Sequence, residues 1–266
     1  MDLQQTLFVS DMDDTLFDNS KRVSKINKNA IEEFKNAGGI FTVATGRSIM
    51  GFSSHQKELG LDVPVILYNG SCIYDYKSNE FLWVKSLDES IKNYVEIIME
   101  HFPQMGVHIM TRKIYVCHPT PLCKENILKE KLSFIEVADI REVQEPWIKV
   151  EFILDLVNVE EVLAYIKEKP IAGCRCIRTG EHTLEIVDAS VSKGDAVLRL
   201  QKVLNAKDRK LCCIGDHNND YEMICIADIG FAVENALERI KNNADIVVTD
   251  NEHDAIANAI EIIKKI

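Results

Sequence analysis

Long apolar runs are missing from this chain, as are a basic segment leading into an apolar one at its start, any Cys-x-x-Cys pair and any tract rich in proline or serine. Without an apolar run long enough to span a bilayer, a helical membrane anchor is excluded. With no basic-then-apolar start, no secretory signal is expected, and the chain reads as a soluble cytoplasmic protein. The 8 cysteines (Cys72, Cys117, Cys123, Cys174, Cys176, Cys212, Cys213 and Cys225) lack zinc-ligand pairing, and several lie inside apolar strand-like runs. They are expected to be buried free thiols. Positive charge is also short: 31 basic against 42 acidic residues give a net charge of −11, which argues against nucleic acid or an anionic membrane as the main partner. A few local basic groups still permit an anionic substrate. No internal repeat or low-complexity segment breaks the 266 residues, which suffice for one large domain or two modest ones.

The stretch Leu7 to Phe17 organises the rest. An apolar run that breaks abruptly into acids reads as a buried parallel strand delivering Asp11, Asp13 and Asp14 to its carboxyl end, where open α/β sheets bind ligands. Two carboxylates about 4 Å apart repel by roughly 4 kcal/mol at an effective dielectric near 20, so a cation is expected among them. Hard oxygen ligands in small number favour magnesium. An EF-hand calcium loop fails, because its sixth position is Leu16 instead of glycine and its twelfth is Arg22 instead of glutamate.

Further along, apolar spacing and a Ser24 cap predict a helix over 24–37, closed by Gly38-Gly39. Ile40 to Ala44 then reads as a second buried strand ending in Thr45-Gly46-Arg47. The crossover between the strands brings Thr45 to the sheet edge that carries Asp11. A helix to about Leu59, a third strand over Val63 to Tyr68, and a hairpin from Cys72–Tyr76 and Phe81–Val84 follow. From about Lys85 the pattern restarts. Helices over Asp88–Phe102 and Val159–Ile166 are expected, with strands at Val107–Met110, Ile114–Cys117, Val150–Leu154, Cys174–Ile177 and Leu184–Val187. This mixture lacks an acidic strand terminus and reads as an inserted second domain, with boundaries near 85 and 188.

The first pattern then returns. Ser192-Lys193-Gly194-Asp195 opens a helix, and the strand Leu211 to Ile214 ends in Gly215-Asp216-His217-Asn218-Asn219-Asp220. Strands at Ile229–Val233 and Ile246–Thr249 alternate with helices near Ala236–Asn242 and Asp254–Ile263. Asp216 and Asp220 add carboxylates to the same edge, and Lys193 supplies a compact positive charge suited to a phosphoryl oxygen. An EF-hand fails here too, since its twelfth position is Ala227.

Asp11-Met12-Asp13-Asp14-Thr15, Thr45-Gly46-Arg47, Lys193-Gly194 and Gly215-Asp216-x-x-Asn219-Asp220, in that order, resemble the motifs of the haloacid dehalogenase superfamily of phosphohydrolases. The large α/β insert makes the chain similar to its Cof-type branch. Asp188-Ala189-Ser190 departs from the proline-glycine pair that the branch often carries before the lysine. The resemblance implies an α/β fold with a Rossmann-like doubly wound parallel sheet core (1–84 and 189–266) and an inserted α/β cap (85–188) that selects the substrate. It implies Asp11 as nucleophile and Asp13 as general acid and base. Mg2+ is implied on Asp11, the Asp13 carbonyl and Asp216, with Asp220 supporting from behind. Phosphate is implied on Met12, Thr45, Gly46, Lys193 and Asn219, with Arg47 as a secondary contact. Thr15 is expected to fix the loop, and Asp14 is a lesser candidate. Arg112, Lys113, Arg178 and His182, near expected cap strand ends, are read as solvated surface. The implied reaction is hydrolysis of small phosphorylated metabolites such as sugar phosphates. A phosphomutase shares the aspartyl-phosphate. A phosphorylated receiver is the non-enzymatic alternative, but it carries its aspartate on a third strand, and here that strand ends in Asn69-Gly70.

Overall fold

A computed structural model describes residues 2–130 and 132–266. The chain divides into two compact units. One holds the residues up to Gly46 with Ser53–Trp83 and Ser192–Ile266, the other Arg47–Phe52 and Val84–Val191. In chain order the first elements are β1 (Thr6–Ser10), α1 (Lys25–Asn36), β2 (Ile40–Val43), α2 (Ile49–Glu58), β3 (Val65–Leu67), β4 (Cys72–Asp75) and β5 (Glu80–Val84). α1 starts where the Ser24 hydroxyl oxygen accepts the Asn27 N–H at 3.0 Å, satisfying one of the orphan donors of a helix start.

The insert follows: α3 (Ile91–His101), β6 (Gly106–Met110), β7 (Ile114–Cys117), α4 (Pro121–Glu130), β8 (Ile135–Val137), β9 (Lys149–Ile153), α5 (Val159–Glu168), β10 (Cys174–Gly180) and β11 (Thr183–Asp188). Of these, α4 and β8 had no counterpart among the sequence-based expectations. The chain closes with α6 (Lys193–Val203), β12 (Lys210–Gly215), α7 (Tyr221–Ile226), β13 (Ile229–Val233), α8 (Glu238–Lys241), β14 (Ile246–Val248) and α9 (Ala255–Lys265). Among the described residues, no helix is long and apolar enough to cross a membrane.

The first unit is built on a parallel sheet of order β14-β13-β12-β1-β2. β1 lies between β12 and β2, with Ser10 level with both Ile214 and Val43, so its side chains are buried on both faces, as a central parallel strand requires. Phe8 anchors it, meeting Phe34, Phe41 and Phe231 at ring separations of 6.1, 5.6 and 6.0 Å. The expected third strand is shorter than Val63–Tyr68 and serves two sheets. Ile66 bridges Ala44 in parallel beyond β2, while β3 pairs antiparallel with β4 in a sheet of order β3-β4-β5.

The second unit is an antiparallel-rich sheet of order β10-β11-β9-β6-β7-β8. One face carries Val107, Ile109, Val150, Phe152, Leu184 and Ile186 against Ile91, Val95 and Ile98 of α3 and Val159, Val162 and Ile166 of α5. The opposite face is charged yet buried. The Lys149 ammonium pairs with Glu185 at 2.7 Å and lies 3.9 Å from Glu151, whose other oxygen meets His108 Nδ1 at 2.8 Å.

Burial alone would depress the His108 imidazolium, but the Cys123 thiol and the Glu151 carboxylate outweigh it and hold it at about 9. Burial alone would raise Glu151, but Lys149 and His108 pull it down to about 2. The raised histidine stabilises the unit fully below its ordinary 6.5, and that contribution is lost as pH rises through about 9. The depressed glutamate contributes above its ordinary 4.5 and is lost as pH falls through about 2. Urea unfolding is therefore expected to show a stability loss between pH 6.5 and 9 that His108→Gln flattens; equal slopes in both proteins would refute it.

All eight cysteines are free. Cys72, Cys117, Cys123, Cys212 and Cys213 are buried as expected, Cys174 and Cys176 are half-buried, and Cys225 on α7 is exposed, which corrects the expectation for that residue.

Candidate active site

Because β12, β1 and β2 run parallel and in register, the loops after Ser10, Val43 and Gly215 leave the sheet side by side. Asp11 extends the ladder, its N–H donating to Ile214 O at 2.9 Å. The chain then wraps around a single carbonyl: Met12 O accepts the N–H groups of Thr15, Leu16 and Phe17 at 3.3, 3.0 and 2.8 Å. Thr15 donates its hydroxyl to Asp216 Oδ1 at 3.2 Å, tying the β1 loop to the β12 loop.

Lys193 is the first residue of α6, capped by Ser192, whose hydroxyl oxygen accepts the Asp195 N–H at 3.0 Å. Its ammonium is wholly buried between Asp11 Oδ1 at 2.5 Å and Asp220 Oδ1 at 2.6 Å. The other Asp220 oxygen accepts the N–H groups of Asp216 at 3.1 Å and His217 at 3.0 Å. One carboxylate thus holds the lysine and folds the loop that presents Asp216.

The start of α6 presses against the end of β3. Tyr68, Asn69 and Gly70 all adopt positive φ, +52°, +55° and +97°, and a Cβ on Gly70 would sit 2.2 Å from Ser192 O. Only glycine suits both the backbone conformation and that approach. Gly70→Ala is expected to destabilise the fold by about 2–3 kcal/mol and to lower kcat by displacing Lys193. Melting and turnover equal to the parent's would show the contact to be slack.

The strained turn also aims Asn69. Its Oδ1 accepts from Asn219 Nδ2 at 3.0 Å, and a Cβ on Gly46 would meet its side chain at 3.0 Å. Thr45 joins the same group, its N–H donating to Ile66 O and its carbonyl accepting the Asn69 N–H, each at 3.0 Å. Asn69 had not been singled out from the sequence, although it repeats the signal that flagged Asp11 and Thr45: a polar residue at the carboxyl end of an apolar strand.

The structure brings together Asp11, Lys193, Asp216 and Asp220 at one point and Thr45, Gly46, Asn69 and Asn219 at another, all on one sheet edge. The Asp13 carboxylate lies 3.4 Å from Lys21, which also holds Asp14 at 2.9 Å, and its charge helps to raise Asp11. Arg47 belongs to the second unit. Lys113 and Arg178 are exposed and pair with Glu145 at 3.0 Å and Glu160 at 2.5 Å, as surface residues do.

Three carboxylates face one ammonium in a largely buried space and would leave two negative charges if all were ionised. Burial, then Asp220, pushes Asp11 up to about 7 despite Lys193. Burial, then Asp11 and Asp220, pushes Asp216 up to about 9. Oxygens of Asp11, Asp216 and Asp220 lie within 4.8 Å of one another, close to the spread about one small octahedral ion. Both Asp220 oxygens already face protein donors, so Asp11 and Asp216 are the two best placed to take a divalent cation, whose charge would balance the cluster.

The model of haloacid dehalogenase-like hydrolases matches residues 8–260. The chain belongs to that family. The hydrolase is 26% identical to phosphatase YwpJ of Bacillus subtilis over 286 residues, covering 96% of this chain and 98% of the relative. A solved haloacid dehalogenase-like hydrolase from Bacteroides thetaiotaomicron shares its fold with a TM-score of 0.87 at 23% identity, covering 97% and 99% of the two chains. The subclass IIB sugar phosphatase BT4131 does so with a TM-score of 0.85 at 20% identity, covering 98% and 100%. The Cof-type resemblance and the α/β fold with a parallel sheet are thereby established.

Proposed function

We propose that the chain, a phosphatase of this family, is magnesium-dependent and hydrolyses small phosphorylated metabolites, sugar phosphates among them, through a phosphoryl group carried on Asp11. The observation that supports this most is the cluster itself: a carboxylate fixed by Lys193 at 2.5 Å, beside a second carboxylate on Asp216, whose full ionisation burial and mutual repulsion resist. A phosphate dianion would not approach such a cluster unless a cation lowered its charge. Magnesium, held by Asp11 and Asp216, would supply that charge and polarise a phosphoryl oxygen.

The residues of the chain divide the remaining work. Asp11 attacks phosphorus with one carboxylate oxygen while the ester oxygen departs. Asp13 gives that oxygen its proton, then takes one from the water that opens the mixed anhydride. Lys193, Thr45, the Gly46 amide and Asn219 receive the equatorial oxygens, where charge is spread during transfer. Asn69 sets the direction of Asn219. Choice of the leaving group we assign to the second unit, as the resemblance implies.

Release of phosphate from a panel of phosphorylated sugars, nucleotides and cofactors, with magnesium and with a chelator, tests the reading. Turnover of several small monoesters in magnesium and none in chelator is expected. Full activity in chelator would remove the metal from the account. Recovery of an isomeric hexose phosphate instead of free phosphate would replace hydrolysis by mutase chemistry.

A further inference from the structure

The turn that carries Asp13 is gripped from two sides. Within it, Met12 O gathers the N–H groups of Thr15, Leu16 and Phe17, which leaves the carbonyls of Asp14 and Phe17 to be met from elsewhere. Two asparagines, from the loops after β13 and β14, meet them. Asn235 donates its side-chain amide to Asp14 O at 2.8 Å, and Asn251 donates its own to Phe17 O at 3.0 Å. Asn251 also donates to Asn19 Oδ1 at 3.2 Å, while Glu252 accepts the Asn19 N–H at 2.5 Å. Asn251 is buried and Asn235 is exposed.

The two asparagines are joined to each other as well, the Asn251 N–H donating to Asn235 Oδ1 at 3.1 Å. A backbone N–H only donates and a backbone carbonyl only accepts, so these contacts fix which end of the Asn235 amide faces Asp14. The peptide joining Asp14 to Thr15 is then held at both polar groups, its carbonyl by Asn235 and its N–H by Met12 O at 3.3 Å. Asp14 has a φ of +61°, a left-handed conformation that residues other than glycine adopt rarely and keep only where neighbours enforce it. Two residues after Asn235, the Leu237 N–H donates to Asp216 O at 3.0 Å. Residues 235–237 thus gauge the Asp13 turn against the loop that presents Asp216.

We propose that Asn235 is a positioning residue for proton delivery by Asp13, an inference that rests on Asp13 acting as the proton donor. With the following peptide pinned, Asp13 leaves a backbone of one conformation, and its carboxyl keeps the direction from which a departing oxygen is protonated. Without the Asn235 donor the turn can relax away from the left-handed conformation of Asp14. Proton delivery then loses its geometry, while Asp11, tied to Ile214 O on the sheet ladder, keeps its own. The penalty depends on the leaving group. A sugar alkoxide needs its proton as the P–O bond breaks, whereas a nitrophenolate departs without one.

Kinetics of the full chain in magnesium test this, with the sugar phosphate that it turns over fastest and with nitrophenyl phosphate, read as kcat/KM because that ratio covers the steps up to departure of the leaving group. Asn235→Ala is expected to lower kcat/KM about 10–100-fold for the sugar phosphate and less than about threefold for nitrophenyl phosphate. Asn235→Asp keeps the shape and the acceptor for Asn251 but has no donor for Asp14 O, so it should show the same split. Its added charge acts on both phosphates alike and leaves the split readable. Asp13→Asn is the control, and its split should be larger. A split in Asp13→Asn with equal losses, or none, on both substrates in the two Asn235 variants would overturn the positioning role and leave Asp13 in place. Parental kinetics in Asn235→Asp would do the same, since packing and not donation would then hold the turn. No split in Asp13→Asn would remove Asp13 as proton donor, and the role of Asn235 would fall with it.

Discussion

Asp11→Asn is expected to fold and to lose roughly four orders of magnitude or more in kcat toward a generic aryl phosphate, with KM little changed. An amide has the shape of the carboxylate but no lone pair basic enough to displace an ester oxygen, so the covalent step fails while the substrate contacts proposed for Thr45, Lys193 and Asn219 persist. Folding should survive because the substitution relieves repulsion. The cluster loses one ionisable carboxylate, and Lys193 keeps Asp220 at 2.6 Å. The sign of the pH dependence follows. Asp11 is raised from 3.8 to about 7 by burial and by Asp220, so the folded metal-free parent binds a proton that the unfolded chain releases. Its stability from this group falls as pH rises across that window. The variant has no such fall. Rapid quenching with labelled substrate should trap phosphate on the parent and none on Asp11→Asn. Turnover by the variant within tenfold of the parent would remove Asp11 from the chemistry.

The sheet edge was legible because parallel strands buried on both faces are continuous apolar runs, and the first polar residue after each run marks where it stops. Asp11, Thr45 and Asp216 all announce themselves this way. Asn69 follows the same rule, and the strand end at Asn69-Gly70 was read, but a neutral amide carries no charge to mark it as part of the site. The grip of Asp220 on two backbone N–H groups and Lys193 is a matter of loop geometry that residue spacing does not carry. Lys21 reaches Asp13 from a residue with φ of +56°, a conformation no side-chain pattern foretells.

In the second unit the helical faces were readable from apolar spacing, whereas α4 and β8 were not. The apolar residues of α4, Leu122, Cys123, Ile127 and Leu128, do not form one sustained stripe, Leu128 being exposed, and β8 is a short edge strand with two of its three residues exposed. The charged face of that sheet was hidden for the opposite reason. Lys149, Glu151 and Glu185 alternate with apolar residues as solvent-facing residues would, and only their mutual pairing lets them be buried.

Lys193→Met should affect both stability and catalysis. Among the described residues of the cluster, its ammonium is the one cation, at 2.5 and 2.6 Å from two carboxylates in a space closed to solvent. Burial alone would depress it, and Asp11 and Asp220 more than reverse that, holding it charged across the working range. Methionine matches the stem in volume but leaves Asp11, Asp216 and Asp220 facing one another, and breaking a buried pair from one side costs about 3–5 kcal/mol. The carboxylates must then take up protons to remain folded. The stability deficit should therefore shrink as pH falls and also shrink when magnesium is added, two dependences that a simple packing defect would not show. Loss of the charged donor proposed for the transferring phosphoryl group should lower kcat by about 10²–10³-fold. Lys193→Arg should not restore it, because a planar guanidinium cannot occupy a site shaped for a compact ammonium. Unfolding followed at two pH values, with and without magnesium, together with kcat for the three proteins, decides the matter. If Lys193→Met melts with the parent in chelator and turns over at the parent rate in magnesium, the lysine is neither the counter-charge of the cluster nor a phosphate ligand.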